Sequence, residues 1–218
     1  MSRATASSNP AEPVAPAESV APAVVVPGEN LLPGDGEAFF TPEGLAPAAA
    51  DRAFADLRAE IDWRQETAML FGRRIPLPRL TAWYGDTGYA YSGIRHPPAP
   101  WPPRLEAIKA MVEEIAHARF NSVLLNLYRD GRDSMGWHSD DETVLGPEPL
   151  IASLSLGAAR RFQFRHRRTG ETVSFDLPHG ACLVMKGRCQ ANWRHQIPKT
   201  RRPVTARINL TFRRLDAG

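Results

Sequence analysis

The stretch Gly136–Glu142 reads GWHSDDE, placing a histidine, one spacer and two acids where a Gly- and Asp-rich turn re-enters regular structure. In an extended strand side chains alternate faces, so His138 and Asp140 point the same way and Ser139 points away. A neutral imidazole and a carboxylate on one face are two legs of a 2-His-1-carboxylate triad, which leaves positions open on Fe(II). H-x-D alone is common and serves equally as a surface His–Asp pair. A metal centre requires a second histidine from elsewhere in the chain and a site for a co-substrate.

The segment RINLTFR offers such a site. Arg207, Asn209, Thr211 and Arg213 share one strand face, and Ile208, Leu210 and Phe212 share the other. The apolar face would pack on the core. The polar face carries two guanidiniums with amide and hydroxyl groups between them. A solvated edge strand is the plain alternative, but Lys or Glu would serve it equally, whereas guanidiniums suit bidentate carboxylates. A dicarboxylate held between them would be 2-oxoglutarate. Asn126 and Tyr128 in LLNLY also share a face and offer amide and phenol donors to that ligand; as an isolated pair they serve equally as satisfied core residues. The second histidine is then His195 in NWRHQIP. Among the others, His166 lies in a basic RHRR run, His179 in a PHG turn, His96 before two prolines and His117 on an amphipathic helix.

These residues need elements to position them. Thr41, Pro42 and Glu43 form a helix-start pattern, and Phe54, Leu57 and Ile61 follow at helical spacing, which predicts a helix over about 48–60. Leu105, Ile108, Val112 and Ile115 form the apolar stripe of a second helix. From Asn121 onward the chain turns to short alternating runs broken by Gly and Pro: SVLLNLYRD, GWHSDDE, LIASLSLGA, RRFQFRHR, TVSFDLP, ACLVMKG, ANWRHQIP and ARINLTFRRL. That spacing predicts a mostly β fold, a two-sheet jelly roll (double-stranded β-helix, cupin-like) with the N-terminal helices buttressing one sheet.

The 218 residues allow one domain plus extensions, and a net charge of +3 permits a nucleic-acid partner without demanding one. Two cysteines, Cys182 and Cys189, are too few for a disulfide framework or a four-thiolate zinc site and read as small buried residues in a reducing compartment. No apolar run approaches the roughly 20 residues that span a bilayer, so no membrane partner is expected. The first 30 residues are rich in Ala, Pro and Ser and read as a disordered tail ahead of a domain over 31–218.

H-x-D, the distal histidine and R-x-N-x-T-x-R occur in an order and spacing that resemble the AlkB family of Fe(II)/2-oxoglutarate-dependent dioxygenases, in particular its duplex-DNA repair branch. The resemblance covers about Leu70 to Leu215. It implies His138, Asp140 and His195 as iron ligands, with Asn126, Tyr128, Arg207, Thr211 and Arg213 as co-substrate contacts and Asn209 on the same wall. It implies a nucleotide-recognition lid over about 70–95, in which Tyr89 and Tyr91 flank a flipped base. Phe71, Gly72 and Arg73 of LFGR resemble the hairpin that wedges the vacated stack. Asp141 falls where the family contacts the damaged base, and Lys199, Arg201 and Arg202 resemble a phosphate-gripping loop. One departure is RHRRTGETVSF, shorter than the matching hairpin of vertebrate relatives, which implies fewer contacts to a complementary strand.

The resemblance implies Fe(II) as cofactor and 2-oxoglutarate and O2 as co-substrates. The implied activity is oxidative demethylation of 1-methyladenine and 3-methylcytosine in duplex or single-stranded DNA, releasing formaldehyde and succinate. It implies a monomer in the cytoplasm, at the nucleoid of a bacterium or in a eukaryotic nucleus. RNA or a small molecule as substrate, or a nucleic-acid-binding module without catalysis, stay open as alternatives.

Overall fold

The computed structural model describes residues 27–32, 34–70, 73–86, 88–91 and 94–216. Residues 1–26 of the expected tail lie outside them. Strand β1 (Glu37–Thr41) leads into α1 (Pro47–Glu60), two short strands β2 (Thr67–Leu70) and β3 (Arg73–Pro76), then β4 (Leu80–Gly85). A second short pair, β5 (Tyr89–Tyr91) and β6 (Ile94–His96), precedes α2 (Pro103–Ala116). Then come β7 (Ser122–Tyr128), β8 (Met135–His138), β9 (Ile151–Gly157), β10 (Arg160–His166), β11 (Thr172–Leu177) and β12 (Cys182–Lys186). One helical turn, α3 (Cys189–Asn192), leads to β13 (Trp193–Ile197) and β14 (Arg207–Arg213).

Two antiparallel sheets result, a major one in the order β1-β12-β9-β14-β7-β4 and a minor one in the order β11-β10-β13-β8. Alternation along each strand explains the layering. Ile208, Leu210 and Phe212 of β14 pack with Val123, Leu125, Leu154 and Leu156 against Leu57 of α1 and Leu105, Ile108 and Val112 of α2. Phe162, Phe164, Phe175, Trp193 and Ile197 of the minor sheet meet Tyr128, Ile151, Leu183 and Met185 of the major sheet. The helices thus cover the outer face of the major sheet, and the polar face of β14 looks into the space between the sheets, as the jelly-roll expectation requires.

One local expectation needs correction. The first helix starts at Pro47, with Ala46 as N-cap and no side-chain cap bond, whereas Thr41 ends a strand paired to Cys182. Proline at the first helical position is the signal that holds, because its missing N–H is one the helix leaves unbonded there anyway. β14 is no edge strand: it lies between β9 and β7, and all seven of its residues are buried. Within the segment 70–95, Leu80–Gly85 pair with Ser122–Leu127 as part of the major sheet. Among the described residues, no helix is long and apolar enough to cross a membrane.

Candidate metal centre

His195 of β13 and His138 of β8 are directly opposed across neighbouring strands, their rings 4.2 Å apart. β8 ends at His138, so Ser139 and Asp140 belong to the loop beyond it rather than to the extended strand the sequence suggested. Asp140 nevertheless turns inward. Its Oδ2 lies 3.8 Å from His195 Nε2, and one ligand atom from each of His138, Asp140 and His195 falls within 4.8 Å of the other two.

The protonation states suit a metal. Burial pushes His195 down to about 3, with the His138 ring adding to the effect. Burial lowers His138 as well, against the pull of Asp140. Both imidazoles are therefore neutral near pH 7 and keep a lone pair for a cation. His138 Nδ1 lies 2.8 Å from the Gly136 carbonyl, to which it donates when protonated, and this presents Nε2 to the cluster. Burial raises the Asp140 carboxyl, but the Arg213 guanidinium and both histidines outweigh it and hold the group ionised. Arg213 Nη2 donates to Asp140 Oδ1 at 2.6 Å, tying the major sheet to the loop after β8. Two imidazole nitrogens and one carboxylate oxygen are the donor set of an Fe(II) site with open positions.

A narrow cavity opens from this cluster between the sheets, lined by Asn126, Tyr128, Ser153, Asn209 and Thr211 together with Met135, Phe162 and Met185. Of the expected co-substrate residues, Asn126, Tyr128, Asn209 and Thr211 share its wall. Arg207 is fully buried at its margin, with its guanidinium 5.3 Å from the Tyr128 ring centre. Its Nη2 donates to Ser155 Oγ and Asn209 Oδ1, while Nε and Nη1 are buried without a hydrogen-bond partner among the described residues. Burial lowers its pKa to about 10. A buried cation whose partners, Ser155, Asn209 and Tyr128, are all neutral is a setting that an anionic ligand would complete.

Asp141 is exposed and pairs with Arg167, whose Nη2 reaches Asp141 Oδ2 and Ser139 Oγ, each at 2.8 Å. It stands outside the cavity wall. Arg73 is exposed on β3. Phe71 and Gly72 lie outside the described residues, and the side chains of Tyr89 and Tyr91 are not among those described.

Several residues join the site that the sequence did not single out. Arg79, 4% exposed, donates from Nε to Asn126 Oδ1 at 2.8 Å. Ser153 donates to Asn209 Oδ1 at 3.0 Å, and Gln190 accepts the Asp140 backbone N–H. A buried arginine in a PRL turn carries no periodic signature. The β14 face could have pointed to Ser153, since residues opposite it on β9 must share its polar wall. Both cysteines are buried, and burial pushes their thiols up to about 12, as suits small core residues.

Two antiparallel sheets closing over a His–Asp–His cluster and a cationic cradle define an Fe(II)- and oxo-acid-dependent oxygenase as the class. Residues 37–213 match the family model of the 2OG-Fe(II) oxygenase superfamily. The chain is 44% identical over 174 residues to "Alpha-ketoglutarate-dependent dioxygenase alkB homolog 3" of Bos taurus, a match covering 75% of this chain and 61% of that protein. It is 40% identical over 181 residues to "DNA oxidative demethylase ALKBH2" of Mus musculus, covering 77% of this chain and 76% of that protein. The solved structure of OsALKBH1 has the same fold, with a TM-score of 0.62 at 16% identity over 81% of this chain and 96% of that one. The chain therefore belongs to the 2OG-Fe(II) oxygenase superfamily and, within it, to the AlkB family, although it spans only about three-fifths of the bovine relative's length.

Proposed function

We propose that this chain is a 2-oxoglutarate-dependent dioxygenase that demethylates alkylated nucleic-acid bases, with methylated DNA as its substrate. The observation that carries the reading is the union, in one cavity, of the His138–Asp140–His195 cluster with an amide- and hydroxyl-lined wall that the buried Arg207 and Arg213 back through Asn209 and Asp140. His138, Asp140 and His195 would hold Fe(II), which when bound with 2-oxoglutarate and O2 supplies the oxidising power to hydroxylate an N-methyl group. The residues supply binding and orientation. Arg213, already on Asp140, marks the metal end of the diacid site, where the 2-oxo acid group belongs. Arg207, beside Tyr128 and Ser155, suits the far carboxylate. The aromatic layer of Phe162, Phe164 and Trp193 behind His195 keeps that side of the centre dry.

DNA as substrate rests on the relatives, one of which carries the name DNA oxidative demethylase, and on the surface beside the metal loop. A groove of about 430 Å³ is lined by Trp137, Arg165, Arg167, Arg168 and Arg194. Arg165 and Arg194 are directly opposed on β10 and β13 and both exposed. Like charges in that position destabilise a sheet, and a phosphate between them would offset the repulsion. Trp137, 37% exposed, offers a ring on which a base can stack. The R165Q/R194Q double variant is expected to bind a methylated oligonucleotide more weakly, with a shallower salt dependence. Each lost phosphate contact removes about 0.7–0.9 from the slope of log K against log salt. An unchanged slope would take this groove out of the binding path.

The activity itself is tested by formaldehyde release from matched DNA and RNA oligonucleotides carrying 1-methyladenine or 3-methylcytosine, with Fe(II) and 2-oxoglutarate supplied. Release from neither would sink the proposal, and release from RNA alone would move the substrate class.

A further inference from the structure

Asp140 is placed by something other than the sheet. The β8 ladder stops at His138, so no partner strand holds the backbone two residues later. The Asp140 N–H is instead donated to Gln190 Oε1 at 3.0 Å. Gln190 lies on the single helical turn between β12 and β13, is 1% exposed, and is far from Asp140 in sequence. Its amide orientation is forced: a backbone N–H can face only the oxygen, which leaves Nε2 toward Met185 Sδ at 3.5 Å and Cys189 Sγ at 4.0 Å, both weak acceptors. The stronger half of a fully buried amide is thus committed to one backbone group, that of a carboxylate aimed at the cluster.

We infer that Gln190 is a positioning residue for the metal site, fixing the backbone of Asp140 so that its carboxylate stays grouped with His138 and His195, the residues that would hold the ion. The inference rests on the reading of that cluster as a metal centre. Gln190 lines no part of the cavity and touches no ligand candidate except through this hydrogen bond. Asp140 has a second restraint, the Arg213 guanidinium on Oδ1, and its neighbour Ser139 donates to the Trp193 carbonyl at 2.9 Å, but the Gln190 bond is the one that acts on the Asp140 backbone N–H itself. Groups that orient metal ligands in this way typically change metal affinity by about 10–100-fold when removed.

The test is titration of Co(II) into the full chain, reading both affinity and the visible spectrum of the bound ion, with melting temperature beside them. Q190L removes the acceptor, Q190N keeps the amide but withdraws it by one methylene, and Q190E keeps an oxygen at the required reach. Q190L and Q190N are expected to bind Co(II) about 10–100-fold more weakly and to alter its spectrum, whereas Q190E stays within about threefold of wild type. If Q190L does not fold, Q190N carries the decision. Wild-type affinity and spectrum in the folded Leu or Asn variant would overturn the inference, as would an equal loss in all three. If the wild-type chain itself takes up no Co(II), the metal-centre reading fails and the inference falls with it.

Discussion

Replacing Asp140 by alanine is expected to abolish demethylation, leaving less than about 1% of the wild-type rate, a barrier increase above roughly 2.7 kcal/mol. A facial triad has no spare leg: without the carboxylate, two neutral imidazoles remain to hold a hard dication. The same change has a second consequence. Arg213 Nη2 donates to Asp140 Oδ1 in a site where both side chains are almost fully buried, and removing one member of such a pair costs about 3–5 kcal/mol of stability. Loss of activity in D140A alone would therefore not separate a missing ligand from a loosened fold. His195→Ala makes the separation. His195 is neutral and makes no charge pair as strong as that one, so its removal does not take the carboxylate away from a buried cation. H195A is expected to lose metal binding and turnover as completely as D140A while melting closer to wild type. Turnover above about a tenth of wild type in either variant would sink the triad.

Much of this centre was legible because strands write their faces into sequence with a period of two. Arg207, Asn209, Thr211 and Arg213 declared a polar wall, whereas His138 and His195 stood out as ligands only once that wall and the family resemblance were set beside them. What the pattern cannot contain is contact between elements. The inward turn of Asp140 depends on Gln190 and Arg213, which are 50 and 73 residues away along the chain. The buried Arg79 acquires its role only because β4 lies beside β7, the strand that carries Asn126. The same limit explains the helix start. Thr41, Pro42 and Glu43 satisfy every local rule for a cap, yet Thr41 is claimed by a strand pairing with Cys182, and long-range hydrogen bonding overrides the local signal. The outward side of the site was legible only by family resemblance, and there Asp141 proves to be tied to Arg167 at the edge of a basic groove.

Arg207→Leu is expected to separate co-substrate binding from folding in the direction opposite to an ordinary core substitution. In the ligand-free chain this guanidinium is fully buried, its charged form is disfavoured by burial, and its partners are the neutral side chains of Ser155, Asn209 and Tyr128. A buried charge in that condition is a burden on the fold, and a well-packed apolar side chain of similar volume is often neutral or stabilising. The groups it leaves behind are few: Asn209 Oδ1 still accepts from Ser153, while Ser155 Oγ and the Tyr128 hydroxyl each lose one donor. The ligand-free variant should therefore melt no lower than wild type. Affinity for 2-oxoglutarate, measured with Mn(II) in place of iron, should fall at least about 30-fold, because the far carboxylate loses a buried charge partner worth roughly 2–5 kcal/mol. The rise in melting temperature that 2-oxoglutarate gives the wild type, which scales with the logarithm of ligand over Kd, should then largely disappear. If Arg207 instead braces the sheet, R207L will melt well below wild type while keeping its 2-oxoglutarate affinity, and the anion cradle has been misassigned.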